Sequence, residues 1–135
     1  MPYGVVLVFV HGFRGRAEQT FGAYPERLRH LVRETHPGLR VEAVIYPTYE
    51  TRGSLSDAVD ALVAWLAALV AERESTHGHR FRVVLCGHSM GGMVCLDAAR
   101  AIRSQGRGAW PCVGGVVAYD TPFLGIHPHV FKHQL

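Results

Sequence analysis

The sequence predicts an α/β domain, a parallel sheet of about four strands with helices on both faces. Three observations lead there. Short runs rich in Val, Leu and Phe recur along the chain, and helix-length segments with apolar residues at three- and four-residue steps separate them. The strand runs are apolar throughout instead of alternating, the pattern of strands buried on both faces. Helical crossovers between such strands make the strands parallel and the connections right-handed.

The first strand is Gly4-Val5-Val6-Leu7-Val8-Phe9-Val10, which ends in the glycine-punctuated loop His11-Gly12-Phe13-Arg14-Gly15. Tyr24-Pro25-Glu26-Arg27 opens the first helix, because a first turn does not need the N–H that proline lacks. Leu28, Leu31 and Val32 carry its apolar face, and His36-Pro37-Gly38 stops it. Residues 41–46 form the second strand, broken by Pro47. After the loop Thr48-Tyr49-Glu50-Thr51-Arg52-Gly53, either Ser54 or Ser56 caps a long helix. Leu55, Val59, Leu62, Leu66 and Leu69 give that helix one apolar side. Thr76-His77-Gly78-His79 is a polar break, and Phe81-Arg82-Val83-Val84-Leu85-Cys86 is the third strand. The next helix runs to about Ser104 and is ended by Gly106 and Gly108. Val113-Gly114-Gly115-Val116-Val117-Ala118-Tyr119 is the last strand. The order is β-α-β-α-β-α-β without internal repeats, and residues 1–135 make one domain.

One junction carries chemistry. Gly87-His88-Ser89-Met90-Gly91-Gly92 lies between the third strand and its helix. Strand, G-x-S-x-G, helix is the layout of a nucleophile elbow, a strained turn that exposes a serine above the sheet. A side chain at Gly87 or Gly91 would strike the neighbouring strand or helix where the chain doubles back. Ser89 is the candidate nucleophile. The N–H of Met90, at a helix N-terminus, faces any oxyanion that forms there. The loop after the first strand supplies the second donor, by position the N–H of Phe13. His11 and Gly12 mark that loop, and His11 reads as a structural histidine tying it down. His88 reads as a neighbour of the nucleophile, with Gly92 completing the turn.

Bulk properties exclude other classes. Apolar residues make up 48% and charged residues 19%, ordinary for a globular chain. The net charge of +3 comes almost wholly from arginine, with Lys132 the only lysine. Arg27, Arg29 and Arg33, and Arg100, Arg103 and Arg107, are spaced as solvated helix faces, without the interleaved aromatics of a nucleic-acid surface. Cys86, Cys95 and Cys112 have no ligand spacing, and His77 and His79 read as surface histidines, so no metal or organic cofactor is expected. The apolar stretch 59–71 is too short for a bilayer, which needs about twenty residues, and no export signal precedes the first strand. A cytoplasmic location is the default expectation.

These motifs resemble the α/β-hydrolases, and within them the lipase-like serine esterases of the fungal type. The matching pieces are Val8-Phe9-Val10-His11-Gly12-Phe13, Tyr46-Pro47-Thr48-Tyr49-Glu50-Thr51-Arg52-Gly53, the elbow, and Asp120-Thr121-Pro122-Phe123-Leu124-Gly125. They fall in the family's order and span nearly the whole chain. The resemblance implies Ser89 as nucleophile, Phe13 and Met90 as oxyanion donors, and strands corresponding to the central four of the usual eight. It implies a partial α/β-hydrolase fold acting on a small-molecule or lipid ester by acyl transfer.

The chain departs from the family at its end. The usual order is Ser, acid, His, with the acid on a later strand and the histidine near the C-terminus. Here the chain stops ten residues after Gly125. Asp120 is the candidate acid, against a reading as a loop carboxylate capping the Thr121-Pro122 turn. His127, His129 and His133 lie in a tail with no rigid shell to hold a base. The expectation is therefore a C-terminally truncated or partial hydrolase chain, with the triad histidine and acid lost with the missing part unless Asp120 serves. An inactive hydrolase-fold binding or scaffold protein is the alternative. The strand 113–119 is expected to be an uncovered edge, which favours self-association.

Overall fold

A four-stranded sheet forms the middle of the domain in the computed structural model, which describes residues 3–12, 21–47 and 54–121. The strands are β1 (Tyr3–Val10), β2 (Arg40–Ile45), β3 (Arg80–His88) and β4 (Cys112–Tyr119). The helices are α1 (Tyr24–Thr35), α2 (Leu55–His77) and α3 (Met90–Arg103). All strand pairs are parallel, in the order β2–β1–β3–β4. The expected α/β domain with helices on both faces is what forms.

Period-two alternation sorts the strand residues onto two faces. On one face Val6, Val8, Val10, Phe81, Val83 and Leu85 pack with residues of α2 and α3. On the other, Leu7, Phe9, Val41 and Cys86 pack with Phe21 and the α1 residues Leu28 and Val32. Leu62 and Leu66 of α2 are fully buried, each contributing roughly 1.5–3 kcal/mol of transfer free energy. Gly4 lets the layers close: a Cβ there would sit 2.5 Å from the Phe81 ring, which lies across β1.

Local signals resolve or adjust the expectations. Ser54, not Ser56, caps α2, its Oγ accepting from the Asp57 N–H at 3.1 Å. The helix continues to His77, beyond the start of the expected polar break, and Gly78 closes it in the left-handed region at φ 71°. Leu31 does not join the buried face of α1 and is 60% exposed. At about 100° per residue it lies roughly a quarter turn from the Pro25–Leu28–Val32 stripe, and α1 packs along one narrow line. Cys86 and Cys95 are buried and pack as small apolar side chains, whereas Cys112 is exposed.

Among the described residues no helix is long and apolar enough to cross a membrane. β4 is an outer strand, paired on one side with β3. Ser89 and Asp120 follow the C-terminal ends of β3 and β4, the end of a parallel sheet where ligands gather.

Candidate functional site

The site begins where β3 and β4 end in register, with His88 paired to Tyr119. Ser89 is the next residue, and its φ of 55° with ψ of −128° lies outside the regions a side chain prefers. Holding a non-glycine residue there costs about 1–3 kcal/mol, so the surroundings must enforce it. They do so through the backbone. Ser89 N–H donates to the Tyr119 carbonyl at 2.8 Å, and the Ser89 carbonyl accepts from Gly92 N–H at 3.0 Å.

Close packing explains the glycines. A Cβ on Gly87 would lie 2.5 Å from the Gly92 Cα, and one on Gly91 would lie 2.5 Å from the His11 carbonyl oxygen. A Cβ on Gly92 would collide with the Thr121 hydroxyl. α3 is thereby pressed onto the ends of β1, β3 and β4 with no room for a methyl group. A Cβ on Gly12 would come 3.3 Å from the Ser89 Cβ and 3.5 Å from Met90 N. The loop after β1 and the elbow, 77 positions apart, are therefore neighbours.

Met90 opens α3. Its N–H belongs to the first turn, whose amides have no partner inside the helix and carry the positive end of the helix dipole. Phe13 lies outside the described residues. His11 is fully buried, and its Nδ1 is 2.6 Å from the Gly12 carbonyl. A carbonyl only accepts, so that nitrogen is the donor. The ring thus engages the loop's own backbone.

Asp120 follows Tyr119, is exposed, and also turns with a positive φ of 54°. Thr121 Oγ1 donates back to the Tyr119 carbonyl at 3.5 Å. Pro122 and the histidines at 127, 129 and 133 lie outside the described residues. Among the described residues, no side chain is hydrogen-bonded to the Ser89 hydroxyl, and no group of three or more His, Cys, Asp or Glu side chains could hold a metal ion.

An aromatic wall, unannounced by any motif, stands beside the elbow. Phe21, Tyr24, His88 and Tyr119 line a cleft of about 270 Å³. Tyr24 and Tyr119 meet edge to face at 5.7 Å with their hydroxyls hydrogen-bonded at 2.8 Å. The Tyr24 ring also meets Phe9, and Phe9 meets Phe21 at 5.3 Å. Burial, and then the hydrogen bond with Tyr24, push the Tyr119 phenol well above the usual range, so it stays neutral. Ninety-five positions separate the two tyrosines, and no local spacing marks the pair.

Comparison with known proteins sets this geometry in context. Residues 7–132 match the model of the alpha/beta hydrolase family. A curated relative, virulence factor MDV010 of Gallid herpesvirus 2 (strain Chicken/Md5/ATCC VR-987), is 25% identical over 118 residues. That match covers 87% of this chain and 15% of the viral protein. Among solved structures, phospholipase PlaB from Legionella pneumophila in complex with thio-NAD superposes with a TM-score of 0.64 at 16% identity. It covers 84% of this chain and 24% of the phospholipase chain, a likeness of fold. The chain spans less than a quarter of either protein's length.

Proposed function

The chain belongs to the alpha/beta hydrolase family, and from that premise we propose that it is the nucleophile-bearing part of a serine hydrolase of the carboxylesterase or lipase type. The observation that carries this reading is the backbone of Ser89. A serine held at φ 55° between the end of a parallel strand and a helix N-terminus is costly, and a purely structural turn would favour glycine there. The cost is understandable where the hydroxyl must stand clear of the sheet for attack.

In this reading Ser89 Oγ attacks the ester carbonyl while a general base takes its proton. The carbonyl π electrons move to oxygen, and the N–H groups of Met90 and Phe13 hold the oxyanion. Its collapse expels the alcohol, protonated by the same base, and leaves an acyl-serine. Water then attacks the acyl carbon by the same sequence and releases the acid. The base is a histidine from outside the described residues, with Asp120 or a later carboxylate orienting it. His11, Gly12, Gly87, His88, Gly91 and Gly92 shape the turn and the loop. The aromatic cleft of Phe21, Tyr24, His88 and Tyr119 suits an apolar portion of a small-molecule or lipid ester. PlaB, which shares the fold, is a phospholipase, and this agrees with a lipid ester as substrate.

A fluorophosphonate probe tests the assignment. We expect labelling of the natural gene product that disappears in Ser89→Ala. A folded natural product that never labels would favour the alternative, a hydrolase-fold binding or scaffold protein without catalysis. Among the described residues β4 pairs with a strand on one side alone, which adds a second proposal, that the 135-residue chain by itself self-associates.

A further inference from the structure

A cleft of about 870 Å³ is at the opposite rim of the sheet from Ser89. Arg82 precedes Ser89 by seven residues on an extended strand, so the two sites are on the order of 23 Å apart. Arg80 and Arg82 of β3 line the cleft, and both are exposed. Neither forms an ion pair among the described residues. The Arg82 guanidinium instead lies 4.5 Å from the centroid of the Tyr3 ring. An arginine over an aromatic face keeps its fork of N–H donors turned outward along the ring plane.

Aromatic groups build the rest of the wall. His79 and Phe81 stack at 5.0 Å with their planes 14° apart. Trp110 is anchored, its Nε1–H donating to Glu74 Oε1 at 3.1 Å. The other Glu74 oxygen accepts from Phe81 N–H at 2.9 Å. The one carboxylate in the lining thus has both oxygens engaged, and two guanidiniums without an ion-pair partner among the described residues dominate the field. Flat rings held in place beside such forks fit a flat ligand with negative charge at one end.

We propose that this rim cleft is a binding site for a small aromatic anion, an aryl group bearing a sulfonate, carboxylate or phosphate. The aryl ring lies against Trp110, and Arg80 and Arg82 take the anionic end. The site is separate from the elbow and does not depend on any reaction at Ser89.

The chain carries its own reporter. Cys112 lines the cleft and is exposed, while Cys86 and Cys95 are buried. The probe is anilinonaphthalene sulfonate, with its uncharged parent phenylnaphthylamine as the comparison. We expect saturable fluorescence enhancement and at least a fivefold slowing of Cys112 alkylation at saturation. Arg80→Gln and Arg82→Gln, tested singly and together, should weaken binding about tenfold or more in the pair with unchanged melting. The uncharged parent should protect Cys112 at least tenfold less well. Binding that leaves Cys112 alkylation unchanged, or that survives the double substitution, would mean the probe sits on bare apolar sheet and would overturn the proposal. Equal protection by the uncharged parent would overturn it as well.

Discussion

Ser89 and Asp120 leave adjacent parallel strands at the same level, one residue past the paired His88 and Tyr119, and both turn with positive φ. The two are not equally at ease. Aspartate tolerates the left-handed region because its short carboxylate bonds locally, whereas serine does so less well. The strain at this end of the sheet is therefore concentrated on the candidate nucleophile.

That asymmetry predicts a stability difference between two inactivating substitutions. Ser89→Ala keeps a Cβ on a backbone that resents one, and Ser89→Gly removes it. Relief of strain should exceed the extra chain entropy of glycine, leaving Ser89→Gly more stable than Ser89→Ala by about 1 kcal/mol. Urea unfolding of the two variants measures this directly. An alanine variant as stable as the glycine variant would show that the turn is unstrained.

Two glycines should respond in opposite ways to a single methyl group. At Gly91 the new Cβ meets the backbone carbonyls of Val10, the last residue of β1, and of His11, the next residue. Gly91→Ala should cost about 3 kcal/mol or prevent folding. At Gly115, in β4, nothing lies within 4 Å of the same Cβ. Gly115→Ala should be neutral or stabilise by about 0.5 kcal/mol, since it restricts the unfolded chain. Similar losses at both positions would contradict the packing of α3 on the β1 end.

The buried thiols predict an alkaline limit. Burial pushes Cys86 up to about 11, and it raises Cys95 further still. An unfolded cysteine ionises near 8.5, so above that pH the unfolded chain releases protons that the fold retains. Stability from Cys86 is present in full below about pH 8.5 and is lost as pH rises through about 11. A tenfold difference in ionisation constant between the folded and unfolded chain corresponds to about 1.4 kcal/mol. The melting temperature should fall between about pH 9 and 11, and the fall should be shallower in Cys86→Ala. Parallel melting curves for the two proteins would remove Cys86 from the account.

Much of the fold and the elbow was legible in the residues because the signals are local. Continuous apolar runs mark β1 and β3, and the G-x-S-x-G spacing predicts a turn in which a Cβ at Gly87 or Gly91 has no room. Local signals end where contacts span the chain. The order β2–β1–β3–β4 depends on which strands meet in space, and nothing within one run specifies that. Tyr24 opens a helix and Tyr119 ends a strand, so neither position hints at their hydroxyl contact. The rim cleft likewise draws Tyr3, Arg82 and Trp110 from three distant stretches. Leu31 fits the helical spacing yet stays exposed, because spacing gives a face without saying how wide a strip its neighbour covers.

The outer strand predicts how the chain behaves in solution. β4 pairs with β3 on one side, and Val117 on it is 43% exposed although its register partner Cys86 is fully buried. The α1 side of the sheet is thus covered over β1 and β2 and open toward β4 among the described residues. An apolar strand with unpaired N–H and C=O groups invites a second strand or an apolar surface. The purified 135-residue chain should therefore self-associate with rising concentration. Val117→Lys should shift it toward monomer without lowering the melting temperature, because a lysine there extends into solvent and buries no charge. Sedimentation velocity over a hundredfold concentration range separates the outcomes. A wild-type chain that stays monomeric throughout and melts cooperatively would sink the idea, and association unaffected by Val117→Lys would move the contact elsewhere.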